Sequence, residues 1–309
     1  MIRKLLHTFA LAAALCLGAC GESEAERLGL ADSQPSPLFY EIRGAEGEVE
    51  GWLFGTIHAL PDGVEWRTPN MDEVIAEADL LLVEVAELED RSATSAIFSN
   101  LATTPGSGPL PPRVDPELRG ILEEMLALSD FEEDHFDAVE DWAAAIMISR
   151  ISAVGDPRNS VDRALVRAFG TREVRGFETI EGQLGVFDGL APEDQRALLE
   201  GTILEWHHAR ADRGQLMRSW FYGHPAALER SARTGILADP ELREALLVGR
   251  NRDWMPLLLE TLEGPDEPLV AVGTAHLVGP DGLVAMLEER GYTLVRLPPD
   301  DERPFGLVF

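Results

Sequence analysis

The tetrapeptide Gly-Thr-Xaa-His occurs twice, as Gly55-Thr56-Ile57-His58 and as Gly273-Thr274-Ala275-His276, each time directly after a short apolar run. The runs are Gly51-Trp52-Leu53-Phe54 and Pro268-Leu269-Val270-Ala271-Val272, and both read as strands. A glycine at the end of a strand permits a sharp change of direction, and the histidine that follows is then held at the edge of the sheet. Presented in the same way by two strands, the two imidazoles can converge on one ligand. The chain is therefore read as a sheet protein with chemistry at the strand ends.

The pattern between the two copies fills in the rest. Leu38 to Arg43, a Gly-Ala-Glu-Gly turn at 44–47, and Glu48 to Gly55 form a β-hairpin. Pro61-Asp62-Gly63 marks a turn, and Asn70 to Glu77 a short helix. The run Asp79-Leu80-Leu81-Leu82-Val83 is typical of a buried strand and ends in Glu84. After a Thr/Pro/Gly/Ser-rich loop at 102–112, Asp115 to about Ala153 is helical, with Leu118, Ile121, Leu122, Met125 and Leu126 at three-to-four spacing. Ser160 to Phe169 is an amphipathic helix with Ser160 as its cap. Arg172 to Phe177 is extended and leads into Glu178-Thr179. Pro192 to about Leu262 is almost all helical, broken near His224-Pro225 and Asp239-Pro240. The last strands, Leu269 to Val272 and Tyr292 to Leu297, flank a helix over Gly282 to Arg290, an arrangement that favours a parallel pair. The expected fold class is α/β, with a mixed central β-sheet, flanking helices and a large helical middle segment.

The N-terminus reads as a targeting segment. Arg3 and Lys4 precede an apolar stretch from His7 to Leu17, too short for a membrane span, and Leu17-Gly18-Ala19-Cys20 resembles a bacterial lipobox. Residues 1–19 are therefore expected to be a lipoprotein signal peptide, with Cys20 the lipidated first residue of the mature chain; an ordinary secretory signal is the alternative. Residues 20–37 lack apolar periodicity and read as a disordered tether, and 38–309 as one folded domain. The two cysteines are Cys16, within the leader, and Cys20, so no disulfide is expected in the domain. The expected location is the bacterial cell envelope, facing the periplasm or exterior, with membrane contact through the lipid anchor only. A net charge of −29 disfavours nucleic acid as a partner.

His58, Glu84, Glu178 and His276 all stand at expected C-terminal ends of strands, where α/β sheets carry their ligand sites. Two imidazoles with one or two carboxylates suit a divalent transition metal that keeps positions open for water or substrate. Alternatives stand beside each assignment. Glu84 is either a ligand or the first solvated residue after a strand, and Glu178-Thr179-Ile180-Glu181 also reads as a helix start. Thr56 and Thr274 suit substrate binding, hydrogen bonds within their loops, or orientation of the ligands. In Arg250-Asn251-Arg252-Asp253-Trp254, Arg250 or Asn251 suits a substrate carboxylate or an oxyanion; otherwise Arg250 is a helix-surface residue above a core Trp254. There is no Gly-Xaa-Ser-Xaa-Gly elbow, Walker loop or dinucleotide fingerprint, which disfavours serine-hydrolase and nucleotide-dependent chemistry.

These residues resemble the TraB/GumN family, which includes the Tiki proteins. The resemblance runs from about Leu38 to Leu297. It rests on Leu53-Phe54-Gly55-Thr56-Ile57-His58, on Asp79 through Glu84, and on Gly176-Phe177-Glu178-Thr179 with Gln183-Leu184. Arg250-Asn251 with Trp254, and Val272-Gly273-Thr274-Ala275-His276-Leu277 with Gly279, Gly282 and Gly291-Tyr292, complete it. Phe177 stands where leucine is expected. The resemblance implies a single α/β domain whose active site uses both histidines and a glutamate. It also implies a divalent metal, manganese or cobalt, with distant similarity to erythromycin-esterase-like and ChaN-like proteins; the residues alone leave manganese, cobalt and zinc open. On that basis His58, Glu84, His276 and Arg250 are the catalytic candidates, and His58, His276, Glu84 and Glu178 the metal ligands. Asn251, Thr56 and Thr274 are the substrate-binding candidates.

Three functions compete on sequence. The first is a lipid-anchored metal-dependent hydrolase, peptidase-like, acting on peptide or small-molecule substrates. The second is a metal-free esterase-like hydrolase with His58 as general base. The third is a lipoprotein that binds a ligand without turnover.

Overall fold

A computed structural model describes residues 22–87, 90–132, 134–151 and 153–297. Its strands are β1 (Phe39–Arg43), β2 (Val49–Thr56), β3 (Leu80–Val85), β4 (Glu173–Glu178), β5 (Pro268–Gly273) and β6 (Thr293–Arg296). They form one six-stranded sheet in the order β4-β3-β5-β2-β1-β6. The β2–β5, β3–β5 and β3–β4 pairs are parallel, whereas β1 is antiparallel to both β2 and β6. Only β1 is reversed, so the ends of β2, β3, β4 and β5 reach the same edge. The class is α/β with a mixed sheet and flanking helices.

β3 and β5 are buried along their whole length. That is why they read as unbroken apolar runs with no alternation. The parallel pair expected from the last two strands is not a pair. β5 already has β3 and β2 as neighbours, so the chain passes over β2 and β1 and β6 adds to the far side of β1. The helical expectation for Asp115–Ala153 resolves into two helices, Arg119–Leu126 and Asp141–Ile148, with turns between them.

Apolar side chains collect in two cores. One lies on the sheet and includes Leu53, Leu81, Val270, Trp220 and Trp254. The other is helical, built on Arg91–Leu101, Arg119–Leu126, Asp141–Ile148 and Pro192–Ala209, with Trp142 fully buried at its centre. The helix Ile180–Asp188 joins them: it follows β4 directly, and Leu184 and Phe187 pack on the helical core. Thr179 caps that helix by accepting the Gly182 N–H at 3.0 Å, so Glu178 both ends a strand and precedes a helix.

The expected tether is, within its described part, folded onto the domain. Ser23 and Glu26 form a capping box on the short helix Glu24–Arg27, and Ala25 and Leu30 are buried. The Ser36 N–H donates to Phe221 O at 2.7 Å. One helical turn is too short to show a period, which hid this packing from the sequence. The leader and Cys20 lie outside the described residues. No helix among the described residues is long and apolar enough to cross a membrane.

The helix Gln215–Phe221 braces the end of β2: the buried Trp220 donates its Nε1–H to Gly55 O at 2.8 Å. Trp220→Phe leaves that carbonyl without its donor and, being one ring smaller at a buried site, also opens a cavity. It should destabilise the protein by more than the ~1–3 kcal/mol of the unpaired carbonyl alone, read as a lower urea midpoint at unchanged slope.

Candidate active site

The two Gly-Thr-Xaa-His copies touch one another. In the β2–β5 ladder Gly55 faces Val272 and Thr56 faces Gly273, and the Thr274 hydroxyl donates to Thr56 O at 2.9 Å. Neither glycine has a left-handed backbone, and Gly273 sits at φ −50°. Their requirement is space, where the sequence suggested a sharp turn. A Cβ on Gly55 would lie 2.7 Å from the Thr274 Oγ1. One on Gly273 would lie 3.1 Å from Glu84 Oε1, 3.5 Å from His58 Nε2 and 3.8 Å from His276 Cδ2. Gly273 therefore leaves open the spot where three candidate side chains meet.

His58 follows β2 in a loop and faces a pocket of about 240 Å³ lined by Val83, Glu84, Pro157, Ser160, Asp162 and Gln183, among others. Its Nδ1 lies 3.0 Å from Asp162 Oδ2, and the other oxygen of Asp162 accepts the Thr56 hydroxyl at 2.7 Å. Asp162 thus fixes Nδ1 as the protonated nitrogen and turns Nε2 toward the pocket. The charge of Asp162 raises the His58 pKa to about 9, against an opposing contribution from burial of the ring. With 71% of the side chain exposed, pocket water screens part of that pull.

His276 lies in the short 3-10 turn after β5 and is buried. Its Nδ1 is 2.6 Å from Asn251 Oδ1, so Nδ1 is again the donor and Nε2 carries the lone pair. Trp254 packs on the ring, with centroids 4.4 Å apart. Burial, helped by Arg250, lowers the His276 pKa to about 4, so this imidazole is neutral where His58 is charged.

Glu84 is the exception in the apolar β3. Its Oε1 accepts the Gly273 N–H at 2.8 Å; its Oε2 accepts from Arg250 at 2.8 Å and Gln183 at 3.2 Å. Burial opposes its charge, but the cationic Arg250 and His58 and the Gly273 N–H outweigh it and hold the carboxyl below its ordinary range. Arg250, on the helix Gly249–Leu262, places all five N–H donors. Nε and Nη2 form a fork on Glu178, Nη2 also meets Glu84, and Nη1 reaches Leu246 O at 3.2 Å and His276 Nε2 at 3.3 Å. Leu246 belongs to a π-helical turn, Glu244–Val248, directly before this helix. Trp254 donates to Glu178 at 2.8 Å and lies under the guanidinium at 4.8 Å.

The structure brings His58, Glu84, His276 and Arg250 together. It gives other residues different work from that expected. Both Glu178 oxygens hold Arg250 and Trp254, so Glu178 anchors the arginine and does not face the spot beside Gly273. Asn251 is fully buried, donating to His276 O and Asp281 O; it orients His276 and is out of a substrate's reach. Thr56 and Thr274 are also buried and act within the loops. Arg250 is not on the helix surface, and it has no donor left for an oxyanion. Two site residues went unassigned in the sequence. Gln183 stood in the family pattern without a role. Asp162 is a carboxylate in the first turn of Val161–Phe169, one turn before the buried Leu165, a position where an unpaired acid would be costly.

The donor set fits a divalent transition metal: two Nε2 lone pairs, each fixed by a partner on Nδ1, with Glu84 Oε1 beside them. Charge agrees. In the hydrogen-bonded cluster Glu84 and Glu178 face one guanidinium and Asp162 faces His58, which leaves negative charge when the imidazoles are neutral. Among the described residues no group of three His, Cys, Asp or Glu is drawn up around a metal position. The approach to His276 Nε2 is taken by Arg250 Nη1.

No curated protein and no solved structure gave a significant match to the chain. The family model described as TraB/PrgY/gumN matches residues 38–296, from the first strand through the last, and includes every side chain of the site. The chain belongs to the TraB/PrgY/gumN family.

Proposed function

We propose that the protein is a metal-dependent hydrolase of amide or ester bonds in peptides or small molecules. The reading is carried by one observation: Asp162 and Asn251 occupy the Nδ1 atoms of His58 and His276, which leaves His58 Nε2 and Glu84 Oε1 beside Gly273 and His276 Nε2 3.9 Å from the same Glu84 oxygen. His58, His276 and Glu84 would hold a divalent cation such as manganese, cobalt or zinc, which supplies Lewis acidity toward a carbonyl and lowers the pKa of water. The chain's own groups do the rest. Asp162 holds the His58 ring in place, Asn251 holds His276, and Gln183 and the Gly273 N–H orient the Glu84 carboxylate. Val83, Val85 and Pro157 give the pocket apolar walls for a substrate side chain. The lipobox-like Leu17–Cys20 run supports a place in the cell envelope, anchored through Cys20.

A second reading has its own observation. Asp162–His58 is also the geometry of a general base, and Arg250 already supplies a fixed positive charge. A metal-free hydrolase would then need His58 unprotonated, and its rate would survive chelation.

Purified protein should carry a divalent ion and lose it, with its hydrolytic activity, on exhaustive chelation. His58→Ala and His276→Ala should abolish binding, Gly273→Ala should block it by filling the shared spot, and Asp162→Asn should weaken it by about 10–100-fold. Metal content and peptide cleavage unchanged in both histidine variants would refute the reading. A proton and a cation compete for His58 Nε2, whose pKa is raised above the ordinary imidazole value, so affinity should climb with pH and level off once that raised pKa is passed. Calorimetric titrations across that range would give the slope. In cells, incorporation of labelled fatty acid should be lost on Cys20→Ala; labelling that persists would exclude this anchor.

A further inference from the structure

We propose that Arg250 is a resident counter-cation that competes with the divalent metal, and that it must give up His276 Nε2 before the metal is bound. The inference rests on the metal reading above. It follows from where the five guanidinium donors go. Three have partners remote from the metal position: Nε and one Nη2 hydrogen on Glu178, and one Nη1 hydrogen on Leu246 O. The fourth reaches Glu84 Oε2, the oxygen turned away from the Gly273 N–H. Only the fifth, Nη1 to His276 Nε2 at 3.3 Å, uses a lone pair the metal would need. It is also the longest of the five.

The surroundings give the arginine somewhere to stay when that bond breaks. Glu178 grips it through a fork at 2.8 and 2.9 Å, Trp254 lies under its face, and Trp254 Nε1 fixes the same carboxylate. The side chain can therefore lose one hydrogen bond without leaving its seat. The released Nη1–H then has no acceptor among its present partners and becomes available beside the site, where a developing negative charge on the substrate could take it. Arg250 keeps the carboxylates compensated without metal, weakens metal binding through like charge, and keeps the ion exchangeable. Glu178 is the positioning residue that sets how far the arginine leans toward His276.

The test titrates the full chain, stripped of metal by chelator, with Mn2+ or Co2+ alone. Heat and the visible Co2+ absorption are recorded, with a melting curve for each variant. Arg250→Met should tighten binding by about tenfold or more, since it removes a charge and a competing donor. Glu178→Gln should loosen it, because it removes a negative charge and releases the arginine toward Glu84 and His276. The double variant should keep most of the gain of Arg250→Met, short of it only by the lost Glu178 charge, because Glu178 acts mainly through the arginine. Affinity unchanged or weaker in a cooperatively melting Arg250→Met overturns the proposal. If that variant does not fold, Glu178→Gln decides alone, and unchanged or tighter binding overturns it. No binding in wild type or variants overturns both this inference and the metal reading. Binding in the wild type with the wrong order among variants overturns this inference only.

Discussion

The compensation of buried carboxylates by one guanidinium is the constraint on which the rest of this architecture depends. Glu84 lies in a strand buried at every position, and an isolated carboxylate there would be prohibitive. Arg250 makes it tolerable, and to do so it joins four parts of the chain: β3 through Glu84, β4 through Glu178, the turn after β5 through His276, and its own π-turn through Leu246. A π-turn is uncommon and tends to mark functional positions. Here it directly precedes the helix that delivers Arg250 and Asn251, which serve the same histidine from opposite sides.

The same tetrapeptide yields two unlike imidazoles. Both are oriented through Nδ1, but His58 has a carboxylate as partner and stands open to the pocket, whereas His276 has an amide and is enclosed by Trp254. The first is pulled toward the charged form and the second toward the neutral form. Sequence repetition therefore fixes geometry, the strand and the close glycine, without fixing electrostatics. The latter comes from Asp162 and Asn251, residues far from either motif along the chain.

This division also explains what could be read in the sequence. The hairpin, the buried β3, the cap at Ser160, the helix start around Thr179 and the helical middle are local signals and match their elements. The place of β6 beyond β1 is not local: it depends on β5 having both edges occupied, which no window of residues reports. Among site residues, His58, Glu84 and His276 were readable because each interrupts or ends an apolar run. Asn251 reads as a substrate contact, since burial cannot be read from a polar residue beside Arg250. Asp162 was missed because one acid in an amphipathic helix looks like its solvated face until the neighbouring loop is known. The packing of Ala25 and Leu30 was invisible for a related reason: two apolar residues make no pattern.

The order of strands has a temporal side. β2 and β3 do not pair with each other; β5, which comes near the end of the chain, is inserted between them. Until residues 268–273 are made and delivered, the sheet is two separate fragments with unpaired inner edges, and the site lacks His276 and the Gly273 N–H together. Such non-local closure folds late and leaves earlier segments open. The site therefore cannot assemble before residues 268–276 have joined the rest of the sheet.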